Sequence, residues 1–329
     1  MSESEIAREA AVAGDRASRA PRARRAAPLA RGFNALVALT LGLIVLGALV
    51  RAHEAGLACP DWPLCFGQLV PQIDLQVGFE WSHRLLAACT ALLFAALAAA
   101  TLRAGAASAE TRRLLALAAA LLLLQIVLGA LTVWHRLAPW SVTAHLVTGN
   151  AFAVTLLLIA CTLSARARSG APAAAAGPSA RLWISAAAAL LVLQIVLGGL
   201  VSSRFAGLSC PEWPTCNAGV WFPTWKGAVG LHLLHRVNAY LLALALVGAA
   251  AASWRSPGLR GVTRSAAALG LAQVAVGVAN VRLGIPVEVT GLHTGMATAI
   301  ALCLALALRA AWLRPAGMVG AHGAVLHPG

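Results

Sequence analysis

LGLIVLGALVRAHEAGLACPDWPLC, residues 41–65, and LVLQIVLGGLVSSRFAGLSCPEWPTC, residues 191–216, are two readings of one pattern. Each is the end of an apolar run, then a short turn, then two cysteines flanking a Pro-acid-Trp-Pro core. Working outward, EWSHRLLA (80–87) matches HLLHRVNA (232–239), and LLLLQIVLGA (121–130) matches LGLAQVAVGV (269–278). TAHLVTGNA (143–151) matches TGLHTGMAT (290–298) more loosely. The offsets are 151, 152 and 148, so the order is collinear and the chain is an internal duplication.

The composition says where such a chain lives. Of 329 residues 60% are hydrophobic, only 11% are charged, and mean hydropathy is +0.80. A soluble domain carries about a quarter charged residues. Soluble, disordered and disulfide-scaffold classes are therefore excluded, and a polytopic membrane protein remains. Eight apolar runs fall at about 33–50, 79–101, 114–134, 141–163, 182–201, 228–252, 265–283 and 288–312. None alternates with period two, which argues against a β-barrel.

Each repeat holds four spans, an even number, so both insert the same way up. The predicted fold is all-α integral membrane: eight transmembrane helices as two pseudo-twofold-related four-helix bundles, in the parallel-repeat arrangement. The predicted divisions are an Arg-rich tail (1–32), an N-terminal bundle (33–163), a linker rich in Ala, Gly and Pro (164–181), a C-terminal bundle (182–312) and a tail (313–329).

The net charge of +14 reads as topology rather than nucleic-acid binding. With residues 1–32 inside, 18 of the 25 basic residues fall on the inner side and 5 on the outer; Arg84 and Arg236 lie in spans. That bias predicts a multi-pass protein of the plasma (inner) membrane with both termini cytosolic. Residues 1–32 lack the apolar run of a cleavable signal peptide. Seven of the ten tryptophans fall on the outer side, which predicts structured outer loops.

Imidazole within a spanning helix is costly and usually functional. His83, His145, His235 and His293 each lie about one turn inside the outer end of spans 2, 4, 6 and 8. Two imidazoles at matched depth on two helices of one bundle suit a planar macrocycle whose iron takes one nitrogen from each side, that is, haem. A bare zinc or copper site would want three or four clustered ligands. The bland reading is four histidines in interhelical hydrogen bonds; recurrence of the pair in both halves favours ligation. His232 is an alternative to His235, but the shared His-Arg dipeptide favours His235. Arg84 and Arg236 follow the first ligand of each half and could reach a haem propionate, or pack against an outer-loop acid. Glu80 lies three residues before His83, on the same helix face, where the second half has His232. A carboxylate in one half only suggests unequal duties: proton transfer or cation stabilisation in the first, an electron-relay haem in the second. The alternative is that Glu80 caps its helix.

Cys59 and Cys65, and Cys210 and Cys216, are outer-loop pairs in an oxidising compartment, so two loop disulfides are expected, with a redox-active role as the sharper alternative. Cys89, Cys161 and Cys303 sit in spans as packing residues.

Taken together, GLACPDWPLC, EWSHR, TAHLVTGN, GLSCPEWPTC, LHRVNA and TGLHTG, in order and over about 33–312, resemble the haem A synthase family. The resemblance implies oxidation of the C8 methyl of haem O to a formyl group by two hydroxylation-level steps, the gem-diol then losing water to give haem A for cytochrome oxidase. It implies that His83 and His145 hold the substrate haem iron and His235 and His293 the iron of haem b. Glu80 matches the family's catalytic carboxylate, and Cys59–Cys65 and Cys210–Cys216 its two loop disulfides. Implied partners are membrane lipid, haem O synthase and the cytochrome oxidase assembly route, with quinone as a candidate electron partner. The stretch RAHEAG (51–56) departs from the family's TGSG-like segment, so no role passes to His53 or Glu54. The rival reading is a non-catalytic diheme b-type electron carrier, which explains the four histidines but not Glu80 in one half alone. A transporter is disfavoured because the spans lack midplane Gly/Pro breaks.

Overall fold

The computed structural model describes residues 3–167 and 176–312, with side chains over 25–165 and 176–312. Eight α-helices account for most of it: α1 (Glu3–Ala52), α2 (Leu75–Arg103), α3 (Ala109–Trp134), α4 (Pro139–Ala167), α5 (Pro178–Ser203), α6 (Gly227–Ala252), α7 (Pro257–Arg282) and α8 (Val287–Trp312). All eight contain a stretch long and apolar enough to cross a membrane. Helices of 26 to 29 residues are about 40 Å long at 1.5 Å per residue. A hydrocarbon core is about 30 Å thick, so the helix ends extend beyond it and carry the connecting loops. In lipid a helix satisfies its own backbone, which is why hydropathy alone locates these elements.

Local chemistry sets the helix ends. Asp74 caps α2 by accepting from the Val77 N–H at 2.8 Å. Pro178 and Pro257 open α5 and α7 at positions where no N–H is needed. The stretch expected as an Arg-rich tail is helical from Glu3 and continuous with the first span; Ala, Arg and Glu are strong helix formers, and the helix runs on through Pro21 and Pro28. The centre of the linker (168–175) and the C-terminal tail (313–329) lie outside the described residues.

The chain forms two compact units. Among the described residues, one comprises 3–50, 54–134 and 148–167, and the other 51–53, 135–147 and 176–312. In the first, α1 meets α2 closely enough that a Cβ on Gly32 would come within 2.7 Å of Leu97. Phe94 of α2 packs edge-on against Phe152 of α4, with centroids 5.7 Å apart. Gly149 of α4 lies against Gln125 of α3. In the second unit α5 packs on α6 and α8, and α7 packs on the same two, closing a ring of four helices. Its end away from the cysteine loop is filled by small residues, Ala180, Ala249, Ala307 and Ala311, around Ile184 and Leu259. Small side chains let helix backbones approach where lipid offers no hydrophobic drive.

The duplication is visible in the backbone itself. Left-handed residues recur at the sequence offsets: Glu54 with Phe205 (both φ 54°), Phe66 with Ala218 (54° and 49°), Leu137 with Ile285 (59° and 61°). Cys65 pairs with Gln68 across a tight turn, and Asn217 pairs with Val220 across the other. The step from offset 151 to 152 falls at Asn217, one extra residue after the second cysteine pair.

Candidate functional site

Both cysteine pairs are disulfides, Cys59–Cys65 and Cys210–Cys216, as expected. Each is buried and sits on the first turns of the following helix, Val77 in one case and Leu233 in the other. An acid organises each loop. Asp61 accepts from the N–H groups of Phe66 (2.6 Å) and Gly67 (2.8 Å). Glu212 does the same for Ala218 and Gly219 (both 3.0 Å) and also accepts from the Thr215 hydroxyl at 2.7 Å. Gly67 and Gly219 have φ of 69° and 74°, a conformation that suits glycine and turns their N–H groups toward the carboxylates. These bonds, led by the Gly67 and Gly219 N–H groups, hold both carboxyls below the usual carboxylate range. Tryptophans join loop and helix too: the Trp81 indole on α2 donates to Leu69 O in the loop at 2.8 Å, and that of Trp213 in the other loop donates to the Tyr240 hydroxyl on α6 at 3.0 Å.

The two arginines tie these loops to the helices. Arg84 donates from Nε to Glu80 Oε1 (3.0 Å), from Nη1 to the carbonyls of Asp61 (2.6 Å) and Leu64 (2.5 Å), and from Nη2 to Cys59 O (3.1 Å). Arg236 donates from Nε to His232 Nε2 (3.0 Å), from Nη1 to Thr215 O (3.0 Å) and from Nη2 to Cys210 O (2.5 Å). Sequence reasoning offered these guanidiniums a propionate or a loop acid. Their acceptors in the structure are loop carbonyls and the side chain one turn earlier on their own helix. The fold of the loop, invisible in the spacing, delivers those carbonyls.

Glu80 and His232 therefore occupy one slot, each accepting an arginine Nε at 3.0 Å. Both are buried, at 6% and 4% exposure. His232 is fully committed: its Nδ1 lies 2.9 Å from Ala206 O, so that nitrogen donates and Nε2 accepts from Arg236.

His83, His145, His235 and His293 are all half-buried on α2, α4, α6 and α8. Three of them share a feature that sequence reasoning missed. A glycine on the preceding helix backs each ring: a Cβ on Gly47 would lie 3.0 Å from His83 Cε1, one on Gly198 3.2 Å from His235 Cε1, and one on Gly277 3.2 Å from His293 Cε1. No larger residue leaves those rings where they are. The signal was present as the recurrent Leu-Gly or Val-Gly of the repeated apolar runs, overlooked because glycine is common in spanning helices. Glutamines one turn before two of these glycines also touch the histidine turns. Gln273 Nε2 donates to His293 O at 2.8 Å, and Gln194 Nε2 to His235 O at 3.2 Å. His293 Nδ1 is buried without a hydrogen-bond partner.

Comparison with known proteins fits this geometry. Residues 33–77 and 75–305 match the family described as cytochrome oxidase assembly protein, COX15-CtaA. The chain belongs to that family. Among curated relatives of this COX15-CtaA member, a heme A synthase of Symbiobacterium thermophilum is 31% identical, covering 79% of this chain and 88% of its own. Heme A synthases of Shewanella oneidensis (27% identical; 80% and 91% covered) and a Methylobacterium species (28%; 92% and 95%) match over similar or greater shares.

Proposed function

We propose that this chain is a membrane oxidoreductase that converts haem O to haem A, raising the C8 methyl to a formyl group by successive hydroxylations. The observation that carries it is the single carboxylate, Glu80, in a slot that is otherwise duplicated down to the arginine contact. The relatives' activity supports the same reading.

In this reading His83 and His145 hold the iron of the substrate, haem O. His235 and His293 hold haem b, which supplies one-electron redox chemistry when bound. The residues of the second half fit such a group. His293 has a buried ring nitrogen with no protein partner, both rings rest on glycine, and imidazole is a common axial ligand of haem iron. His232, the rival ligand, has both nitrogens spent within the protein. Arg84 has one N–H beyond its protein bonds and Arg236 two, which is what they offer a propionate. Arg84 holds Glu80 through Oε1, leaving Oε2 to take up a proton or to face developing positive charge at the reacting carbon.

The protein would lie in the plasma membrane with both termini cytosolic. It would receive haem O from the prenyl-transferring synthase, pass haem A to cytochrome oxidase assembly, and exchange electrons with a quinone. Extraction of the bound haems after co-expression with a source of haem O tests the reading by mass spectrometry. Haem A or its hydroxylated precursor is expected in the extract. Haem b alone, with haem O supplied, would instead mark a diheme electron carrier.

A further inference from the structure

The amides around His235 form a closed arrangement. Asn238, one turn after His235 on α6, donates to Gln194 Oε1 at 2.6 Å and to Leu190 O at 3.0 Å, both on α5. Gln194 in turn donates to His235 O. The network fixes both amides: reversing Gln194 would set its oxygen against the His235 carbonyl and its nitrogen against the Asn238 donor. Gln194 Nε2 is also 3.1 Å from His235 Nδ1 and 3.2 Å from its Nε2. A donor in the ring plane cannot be equidistant from both nitrogens at that range without overlapping a ring carbon. The amide therefore stands over the face of the imidazole. It restrains the tilt and rotation of the ring and leaves the in-plane lone pair uncommitted, while Gly198 supports the ring at Cε1.

The aligned positions elsewhere lack this pair. Opposite Gln194 and Asn238 the first half has Leu43 and Leu86, which have no amide to give. On α7 and α8, Gln273 reaches His293 O, but its Oε1 has no partner, because Met296 stands where Asn238 would.

We propose that Gln194 and Asn238 are positioning residues that lock the His235 imidazole in one orientation, so that the second half retains its haem while the first, with leucines at both positions, exchanges its own. This rests on the assignment of a resident haem to His235 and His293. An outer-shell partner that fixes a ligating imidazole typically changes metal affinity by about ten- to a hundred-fold.

The test uses the full-length protein purified with its bound haem. Haem transfer to excess apomyoglobin is followed for wild type, His235→Ala, Gln194→Leu, Asn238→Leu and the double substitution, together with the low-spin EPR spectrum of the oxidised haem. His235→Ala identifies the second-half haem as the one it removes. Gln194→Leu is expected to speed loss of that haem about ten-fold and to shift its g-values, which report ring orientation. Asn238→Leu should reproduce most of both effects, and the double substitution should add little, since Asn238 acts through Gln194. Unchanged loss rates and g-values in all three would overturn the clamp while leaving the haem assignment standing. Additive effects would overturn the coupling between the two residues. A wild-type haem content that His235→Ala does not alter would overturn the assignment itself, and the clamp with it.

Discussion

Arg84 and Arg236 do the same work with different partners. Each ties a disulfide loop to the helix that follows it, and each takes its Nε acceptor from the residue four positions earlier at 3.0 Å. In one half that acceptor is the carboxylate of Glu80 and in the other the neutral imidazole of His232. The second half demonstrates that a neutral acceptor suffices to hold the arginine and the loop. The charge of Glu80 is therefore surplus to the scaffold, and a buried carboxylate that the scaffold does not need is costly to keep. That cost argues for chemistry at Glu80 more strongly than its proximity to His83 does.

The largest effect follows from exchanging the partners. Glu80→His places the second half's acceptor in the first half's slot. Arg84 and its loop should hold, with disulfide content and total haem unchanged, while haem A formation falls by at least about a hundred-fold, the usual scale for losing a general acid or base. The ratio of haem A to haem O in extracts measures it. A full rate with intact haem content would reduce Glu80 to a helix-end acceptor and make the two halves equivalent.

A second comparison sets the glycines that back a ring against those that do not. A valine at Gly277 would press on His293 Cε1, whereas an alanine Cβ at Gly42 or Gly261 would meet nothing within 4 Å. Overpacking of this kind costs about 1–3 kcal/mol, so Gly277→Val should weaken haem retention roughly ten-fold with helix content preserved. Gly42→Ala and Gly261→Ala should leave retention untouched. Pyridine haemochrome content after detergent washing reads the difference. Equal losses at all three sites would mean that the glycines serve general helix packing rather than the histidines.

The eight spans were legible because each is an uninterrupted apolar run whose length a bilayer dictates. The disulfides were legible because the two cysteine loops repeat. The helical character of residues 3–32 was not: charge and polarity suggested a tail, and Pro21 and Pro28 interrupt what is otherwise a run of good helix formers. The duty of Arg84 was hidden because its acceptors are carbonyls of a loop 20 to 25 residues away, and main-chain oxygens leave no trace in residue identity. For the same reason the bonding of His232 was hidden: its Nδ1 donates to a main-chain oxygen, Ala206 O. Gln194 and Asn238 sat in plain view as polar residues in apolar runs, yet only their approach across two helices turns them into a pair.

The smallest effect separates the loops themselves. Asp61 and Glu212 both titrate below the usual carboxylate range because the folded loop offers N–H groups to the charged form, chiefly those of Gly67 and Gly219. A carboxyl whose pKa is depressed by folding contributes stability above its unfolded value, and that contribution is lost as the pH falls through the folded one. Both loops should therefore keep their order through neutral and mildly acidic solution and loosen only below the ordinary carboxylate range. They differ in one donor. Thr215 gives Glu212 a hydroxyl bond at 2.7 Å, and the aligned residue in the first loop is Leu64, which has none to give. Thr215→Leu should move the Glu212 titration back toward its usual value and leave Asp61 where it is. Carboxyl carbon shifts followed by NMR across the acid range distinguish the two. If Thr215→Leu moved neither, the backbone N–H groups alone would set both titrations, and the loops would be alike in their electrostatics as well as in their fold.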